Sequence, residues 1–322
     1  MCSYRISAVA LTGCIALTAN SAIAQQFPTK PVRVVVPFAA GGTFDQVARV
    51  TAHKLSELWG QQVVVDNRPG GSTIIATELV AKATPDGYTL LLSPNALAAN
   101  PALHAKLPYS ARKDFAPVIL LAAQPMALGA HPSLRAGTVK ELVALARARP
   151  GTLSYGTAGI GSGGYLAGEI FKIAAGIDIV HVSYKGGNIA MIEVIANQIP
   201  LVMTGLPNLL PQMKAGKLKI LGITDATRSP VAPGVPTIGE TVPGYVFRNW
   251  FGIISPAATP RTIVRQLNAD MNRALNAPDV RERLLSEGFI VLGGSQDDFA
   301  KVIDDDTIKF AEVMKKAGSE KP

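Results

Sequence analysis

Three corners of the sequence combine residues that can hold an anion without a charged side chain. The first is Pro37-Phe38-Ala39-Ala40-Gly41-Gly42-Thr43-Phe44-Asp45, the second runs from Tyr155 to Gly164 (YGTAGIGSGG), and the third is Tyr184-Lys185-Gly186-Gly187-Asn188. Glycine lets the backbone turn its N–H groups toward a ligand with no side chain in the way. A helix starting there leaves its first N–H groups unpaired and carries partial positive charge at that end. The expected chemistry is capture of a carboxylate or phosphate. Glycine also serves tight turns for geometry alone, so two such corners facing each other from different lobes are the stronger signal. Thr43, Ala158, Lys185 and Gly186 belong to these corners as candidate contacts. Phe38, Tyr165, Tyr184 and Trp250 are candidate pocket walls, with core packing as the alternative for Phe38 and Trp250. Tyr165 opens a helix beside the second corner and is expected to face the cleft. Asp45 has two readings: it complements the helix dipole, or it faces a ligand and accepts from a hydroxyl, an amine or a bridging water.

Other chemistries lack their residues. Gly159-Ile160-Gly161-Ser162-Gly163-Gly164 is formally G-x-G-x-x-G, but the next strand ends Val182-Ser183-Tyr184-Lys185, without the acid that would hold a ribose. Ser162 fails as a nucleophile elbow because Ile160 occupies the first glycine position of G-x-S-x-G. His53, His104, His131 and His181 are dispersed and show no metal spacing; His181 reads as packed or surface. Asp304-Asp305-Asp306 reads as the solvated face of a helix. No cofactor and no metal are expected.

The elements that must position the corners alternate between strand and helix. Val32–Phe38 reads as a buried strand, Thr43–Leu58 as a helix, and Gln62–Asp66 as a strand. Asn67–Gly71 reads as a turn, Ile74–Ala83 as a helix and Tyr88–Leu92 as a strand. Such an order predicts a parallel sheet covered by helices on both faces. The pattern restarts at a capping box, Thr138-x-x-Glu141, and continues through Leu218–Thr224. A final region is mostly helical, with Arg261–Asn276, Asp279–Glu287 and Phe299–Lys316 around a short strand at Phe289–Leu292. The fold class expected is α/β with two lobes. Residues 25–124 begin the first lobe, 125–246 form the second, and 247–322 complete the first. Two apolar crossings, Val118–Ala130 and Phe247–Ile254, serve as hinge, and the ligand lies between the lobes at the carboxyl ends of the strands.

Composition and the leader set the compartment. The 322 residues are 48% hydrophobic, which excludes a disordered chain, and the net charge of +8 comes without the Lys/Arg cluster of a nucleic-acid binder. Met1–Arg5, the apolar Ile6–Ala19 and Ala22-Ile23-Ala24 have the three parts of a secretory signal. Residues 1–24 are therefore expected to be removed after Ala24, giving a periplasmic protein. Leu11-Thr12-Gly13-Cys14 offers a second reading as a lipoprotein box. Cys2 and Cys14 both fall in this leader, so the remaining chain has no thiol for a disulfide, a thiolate metal site or a nucleophile.

The run FPTKPVRVVVPFAAGGTFDQVAR resembles the start of the Bug family, the extracytoplasmic solute receptors of tripartite tricarboxylate transporters. VVVDNRPGG, ATPDGYTLLL, KDFAPV, YGTAGIGSGGYLAGE, IVHVSYKGG and AGKLKILGIT extend the resemblance in order from about Phe27 to Gly318. It implies a type II periplasmic binding fold, no catalysis, and a small organic carboxylate held between the first two glycine loops by backbone groups and waters. It also implies membrane transporter subunits as partners. Carried to this chain, the resemblance implicates Phe38, Ala40, Gly42, Asp45, Thr157, Gly159, Gly161 and Ser162, with Ser93 and Asn95 after the third strand. Many relatives carry His where this chain has Tyr165, and an acid where it has Thr204-Gly205, so a ligand ammonium is less well served here. Two other classes stand beside this one. A secreted hydrolase or dehydrogenase on a similar frame would need a constellation this chain lacks. A sensor signalling through a membrane partner would share the receptor's sequence features.

Overall fold

The computed structural model describes residues 27–316; the leader, its cysteines and the cleavage site at Ala24 lie outside them. Strands β1 (Val32–Val36), β2 (Val63–Asn67) and β3 (Thr89–Ser93) pair in parallel, joined by helices α1 (Thr43–Trp59) and α2 (Ile74–Ala81). The continuous Val and Leu runs of β1 and β3 are buried on both faces, as a parallel sheet covered by helices requires, while β2 lies at the sheet edge with Val64 exposed. Helix α1 stops at Gly60, which takes the left-handed conformation (φ 60°) that ends helices at little steric cost. One element escapes the sequence reading: α3 (Ala96–Leu103), a buried helix with Pro101 inside it.

The long strand β4 (Phe115–Ala130) belongs to two sheets. Its first part pairs with β9 (Arg248–Pro256) as far as Pro125↔Arg248; from Met126 onward it pairs with β7 (Leu201–Gly205) and β8 (Lys219–Ile223). Pro125, which cannot donate to a ladder, sits where the partners change. The second sheet is completed by β5 (Ser154–Thr157) and β6 (Val180–Ser183), parallel to each other and, through β5, to β7. Helices α4 (Val139–Ala148), α5 (Gly163–Ala175), α6 (Gly187–Ile195) and α7 (Leu206–Lys214) connect these strands. The Thr138 hydroxyl caps α4 by accepting from the Glu141 N–H (3.2 Å), but the Glu141 carboxylate takes the Gly137 N–H instead of closing the box.

The C-terminal helices are α8 (Arg261–Leu275), α9 (Pro278–Ser286) and α10 (Gln296–Lys316), with β10 (Ile290–Val291) adding to β4. Each lobe carries apolar clusters on both faces of its sheet, Val34, Phe44 and Leu267 on one face of the first and Val35, Leu91 and Phe299 on the other. Helix α10 starts on the first lobe with Phe299 and ends against the second, where Phe310 and Met314 join Tyr155, Phe171 and Phe247. No helix among the described residues is long and apolar enough to cross a membrane. The architecture is α/β, two lobes joined by crossing strands around a cleft.

Candidate functional site

Four helices aim their N-termini at one cleft. Their cap residues, Gly42 for α1, Ser162 for α5, Gly186 for α6 and Gly205 for α7, all line it. Strands β1, β5, β6 and β7 deliver these caps, because each ends at the cleft and turns directly into a helix. Three of the four caps are glycine and make no side-chain cap bond. The first-turn N–H groups of those helices thus stay available to a ligand. Only Ser162 caps with its side chain, accepting from the Tyr165 N–H (3.3 Å). The space in the cleft is about 400 Å³ when its open mouth is counted. No side chain lining it is charged. Its selectivity for charge must come from backbone dipoles.

The floor is polar and neutral. Gln124 on β4 and Asn249 on β9 face each other in the strand register, and each is 1% exposed. Gln124 donates through Nε2 to the Thr43 hydroxyl (2.9 Å), leaving its Oε1 without a donor. The Asn249 Oδ1 is likewise buried without a donor. Thr204 accepts from Asn208 Nδ2 (3.3 Å). The second lobe's glycines make room for this floor. A Cβ on Gly163 would overlap Asn249, one on Gly205 would overlap Gln124, and one on Gly187 would overlap the Thr204 hydroxyl. The lobes touch directly across the cleft: the Ala39 N–H donates to the Lys185 carbonyl (3.2 Å), and Asn188 Nδ2 donates to the Ala40 carbonyl (3.1 Å).

The two glycine loops are braced from behind. Asp45 Oδ2 accepts from the Gly41 N–H (2.9 Å) and from Arg49 Nε (2.8 Å). Burial alone would raise the Asp45 pKa, but the bonds from Arg49 and Gly41 outweigh it and hold the carboxyl below its usual value. In the second loop, Thr157 Oγ1 lies 2.7 Å from His181 Nε2 and accepts from the Gly159 N–H (3.1 Å). Burial beside the Tyr155 and Tyr165 rings pushes the His181 pKa down to about 4, so the imidazole is neutral. Gly161 has φ +78°, and a Cβ there would lie 2.8 Å from Asn100 Oδ1 on α3.

Of the residues singled out in the sequence, Phe38, Gly42, Thr43, Ala158, Ser162, Gly186 and Thr204 meet at this cleft. Gly159, Tyr184 and Lys185 line an adjoining hollow with Phe38, Ala158 and Ser72. Eight others line neither. Ala40 is engaged through its carbonyl by Asn188, and Asp45 is turned back onto its own loop. Thr157 is occupied by His181, Gly161 abuts Asn100, and Tyr165 packs edge-on to His181 instead of facing the cleft. Ser93 is fully buried against Pro94. Asn95 ties the first lobe together: its Oδ1 accepts from the Trp250 N–H (3.0 Å), and its Nδ2 donates to Asp306 (3.1 Å). Trp250 Nε1 donates to the same carboxylate oxygen (2.7 Å) and the ring packs on Phe299, so Trp250 is core and no pocket wall. Asp306 therefore points inward, not to the solvated face read from the sequence, and burial raises its pKa.

Sequence reasoning missed Gln124, Asn249, Asn208 and the N-terminus of α7. The signal was clear for one of them: Gln124 is a lone amide inside an otherwise apolar crossing strand, whereas Asn249 follows Arg248 at the start of β9. Among the described residues no group of three His, Cys, Asp or Glu side chains could hold a metal.

Comparison with known proteins gives this architecture a family. The family described as "Tripartite tricarboxylate transporter family receptor" matches residues 47–319. Protein BugT of Bordetella pertussis is 32% identical, covering 92% of each chain. Among solved structures, R. palustris Rpa4515 with adipate is 37% identical with a TM-score of 0.87, covering 91% of this chain and 98% of that one. MatC (Rpa3494) from Rhodopseudomonas palustris with bound malate is 32% identical with a TM-score of 0.86, covering 89% and 100%. These matches run nearly end to end and carry the same two-lobed frame, and the chain belongs to the tripartite tricarboxylate transporter receptor family.

Proposed function

We propose that the protein is a non-catalytic extracytoplasmic receptor that binds a small organic carboxylate between its lobes and delivers it to membrane subunits of a tripartite tricarboxylate-type transporter. The observation that carries this reading is the convergence of four helix N-termini, three capped only by glycine, on a cleft with no charged lining side chain. A carboxylate is what such an array favours: its oxygens accept N–H bonds and its charge sits in positive potential. A neutral sugar would gain neither advantage fully. The relatives Rpa4515 and MatC, with adipate and malate in their structures, support the class.

In this reading Gly42, Thr43, Ser162 and Gly186 contact the carboxylate, Phe38 and Ala158 wall it, and Thr204 lies beside it. Thr204 brings a hydroxyl rather than a carboxylate, so nothing there pairs with an ammonium. Zwitterionic amino acids should bind less well than carboxylates lacking that group. Export to the periplasm by the leader, cleaved after Ala24, belongs to the same reading. A thermal-shift screen followed by calorimetry tests it. At a hundredfold excess over Kd a ligand adds about 2.7 kcal/mol of stability, worth roughly 2–4 °C or more in Tm. Mono-, di- or aromatic carboxylates should give such shifts, and neutral sugars and NAD(P) none. Shifts with sugars or dinucleotides, and none with any carboxylate, would refute it.

A further inference from the structure

Helix N-termini account for the ligand's charge and leave the amide floor unexplained. Gln124 and Asn249 are cross-strand partners on β4 and β9, at the point where β4 changes sheets. Both are 1% exposed and both line the cleft. Each buries a carbonyl oxygen with no donor, and among the described residues the Asn249 side chain makes no hydrogen bond at all. A buried acceptor without a donor is a standing cost to the fold. An ionised carboxylate cannot relieve it, because its oxygens only accept. A hydroxyl can: it donates its proton to one amide oxygen and accepts from the Asn249 Nδ2. Gly163 and Gly205 clear the space these two amides occupy, so they are held against the cleft by shape as well as by strand register.

We propose that Gln124 and Asn249 form a hydroxyl-reading subsite, so that the preferred ligand is a hydroxylated carboxylate over its deoxy counterpart. The proposal rests on the carboxylate reading above and narrows it to one class. Sites built to hydrogen-bond a substrate hydroxyl reject analogues lacking it far more strongly than apolar pockets discriminate size.

Calorimetry with matched pairs tests it: malate against succinate, lactate against propionate, 3-hydroxybutyrate against butyrate, and 4-hydroxybenzoate against benzoate. In at least one pair that binds, the wild-type chain should favour the hydroxylated member tenfold or more. That ratio should fall toward one in Asn249→Leu and in Gln124→Met, which replace the amides with apolar groups of similar size. A ratio near one in every binding pair of the wild type overturns the proposal while leaving the carboxylate reading intact. A ratio retained in both variants also overturns it. If neither variant folds, the wild-type ratios decide alone. Binding by no carboxylate at all removes the underlying reading, and this one with it.

Discussion

The glycine loop after β1 is braced by a carboxylate, and the one after β5 by a neutral imidazole. In the first, Asp45 collects the Gly41 N–H and the Arg49 guanidinium; in the second, His181 bonds Thr157, which in turn takes the Gly159 N–H. The steric situation differs too. A Cβ on Gly42 would meet only ordinary contacts, 3.6 Å from the Ala39 carbonyl oxygen and 3.7 Å from Asn188 Oδ1, whereas one on Gly164 would overlap the Met203 carbonyl. The first loop thus has spare room and a charged brace. The second is packed tightly against its own sheet and held by neutral groups. Both present helix N-termini to the same cleft, so the same anion chemistry is served by two kinds of support with different failure modes.

The largest expected effect follows from the packing difference. Gly164→Ala drives a methyl group into the backbone of β7, which cannot move as a side-chain tip could. Overpacking of this kind costs about 1–3 kcal/mol and occasionally more, and the Tm should fall by at least several degrees in a calorimetric scan. A Tm within 1 °C of wild type would show that the second loop is no tighter than the first.

The braces should also fail at different pH. Unfolded, His181 protonates near 6.5, but in the folded chain only near 4. Between those values the unfolded state binds more protons, so stability falls as pH drops through that window, by about 1.4 kcal/mol per pH unit for one group. His181→Gln, which keeps a partner for Thr157, should flatten that slope in denaturant titrations from pH 7 to 4. An unchanged slope would mean that His181 is not the group responsible. Asp45 behaves in the opposite sense, its folded pKa lying below the unfolded 3.8. Its stabilisation is complete above that value and is lost only as pH falls below it. Asp45→Asn should cost about 1.5–3 kcal/mol at neutral pH, the range for hydrogen bonds to a charged group. That deficit should stay constant from pH 8 to 5. A deficit that closes already at pH 6 would contradict the assignment.

How much of this was legible follows from which signals are local. The strand-turn-helix corners are local: Gly-Gly after a valine run, or Gly-rich loops before an apolar helix, announce a cap wherever they occur. That is why Gly42, Ser162 and Gly186 were found from sequence. What a side chain does behind a corner is not local. Asp45 and Tyr165 sit in the first turns of helices beside the site, and only the positions of Arg49, Gly41 and His181 decide that both turn away. Asn95 and Asp306 lie 211 residues apart, and their bond joins the start of α3 to the middle of α10; nothing in either neighbourhood signals it. Gln124 and Asn249 fall between these cases. Gln124 interrupts an apolar run and Asn249 stands beside Arg248 at the start of one, but an amide within a strand reads equally well as an edge or a bulge until the strand is seen to cross between lobes.

The smallest expected change in stability bears most directly on function. Gly42 caps α1 with φ −84° and ψ 173°, an extended conformation open to any residue, and its Cβ position is free of close contacts. Serine is a better cap than glycine by a few tenths of a kcal/mol, because its oxygen accepts an N–H from the first turn. Gly42→Ser should therefore raise stability by about that amount. The same oxygen would take a donor that the open cap leaves to the ligand, and its lone pairs would face the carboxylate. Binding should weaken by tenfold or more while the Tm of the unliganded chain holds or rises slightly. The second loop provides the comparison: it already carries a serine cap at Ser162, bonded to the Tyr165 N–H, so Ser162→Gly should cost a few tenths of a kcal/mol in stability and change binding less than Gly42→Ser does. If Gly42→Ser binds its carboxylate as tightly as wild type, the N–H groups at the start of α1 are not ligand donors, and the anion is held by the second lobe alone.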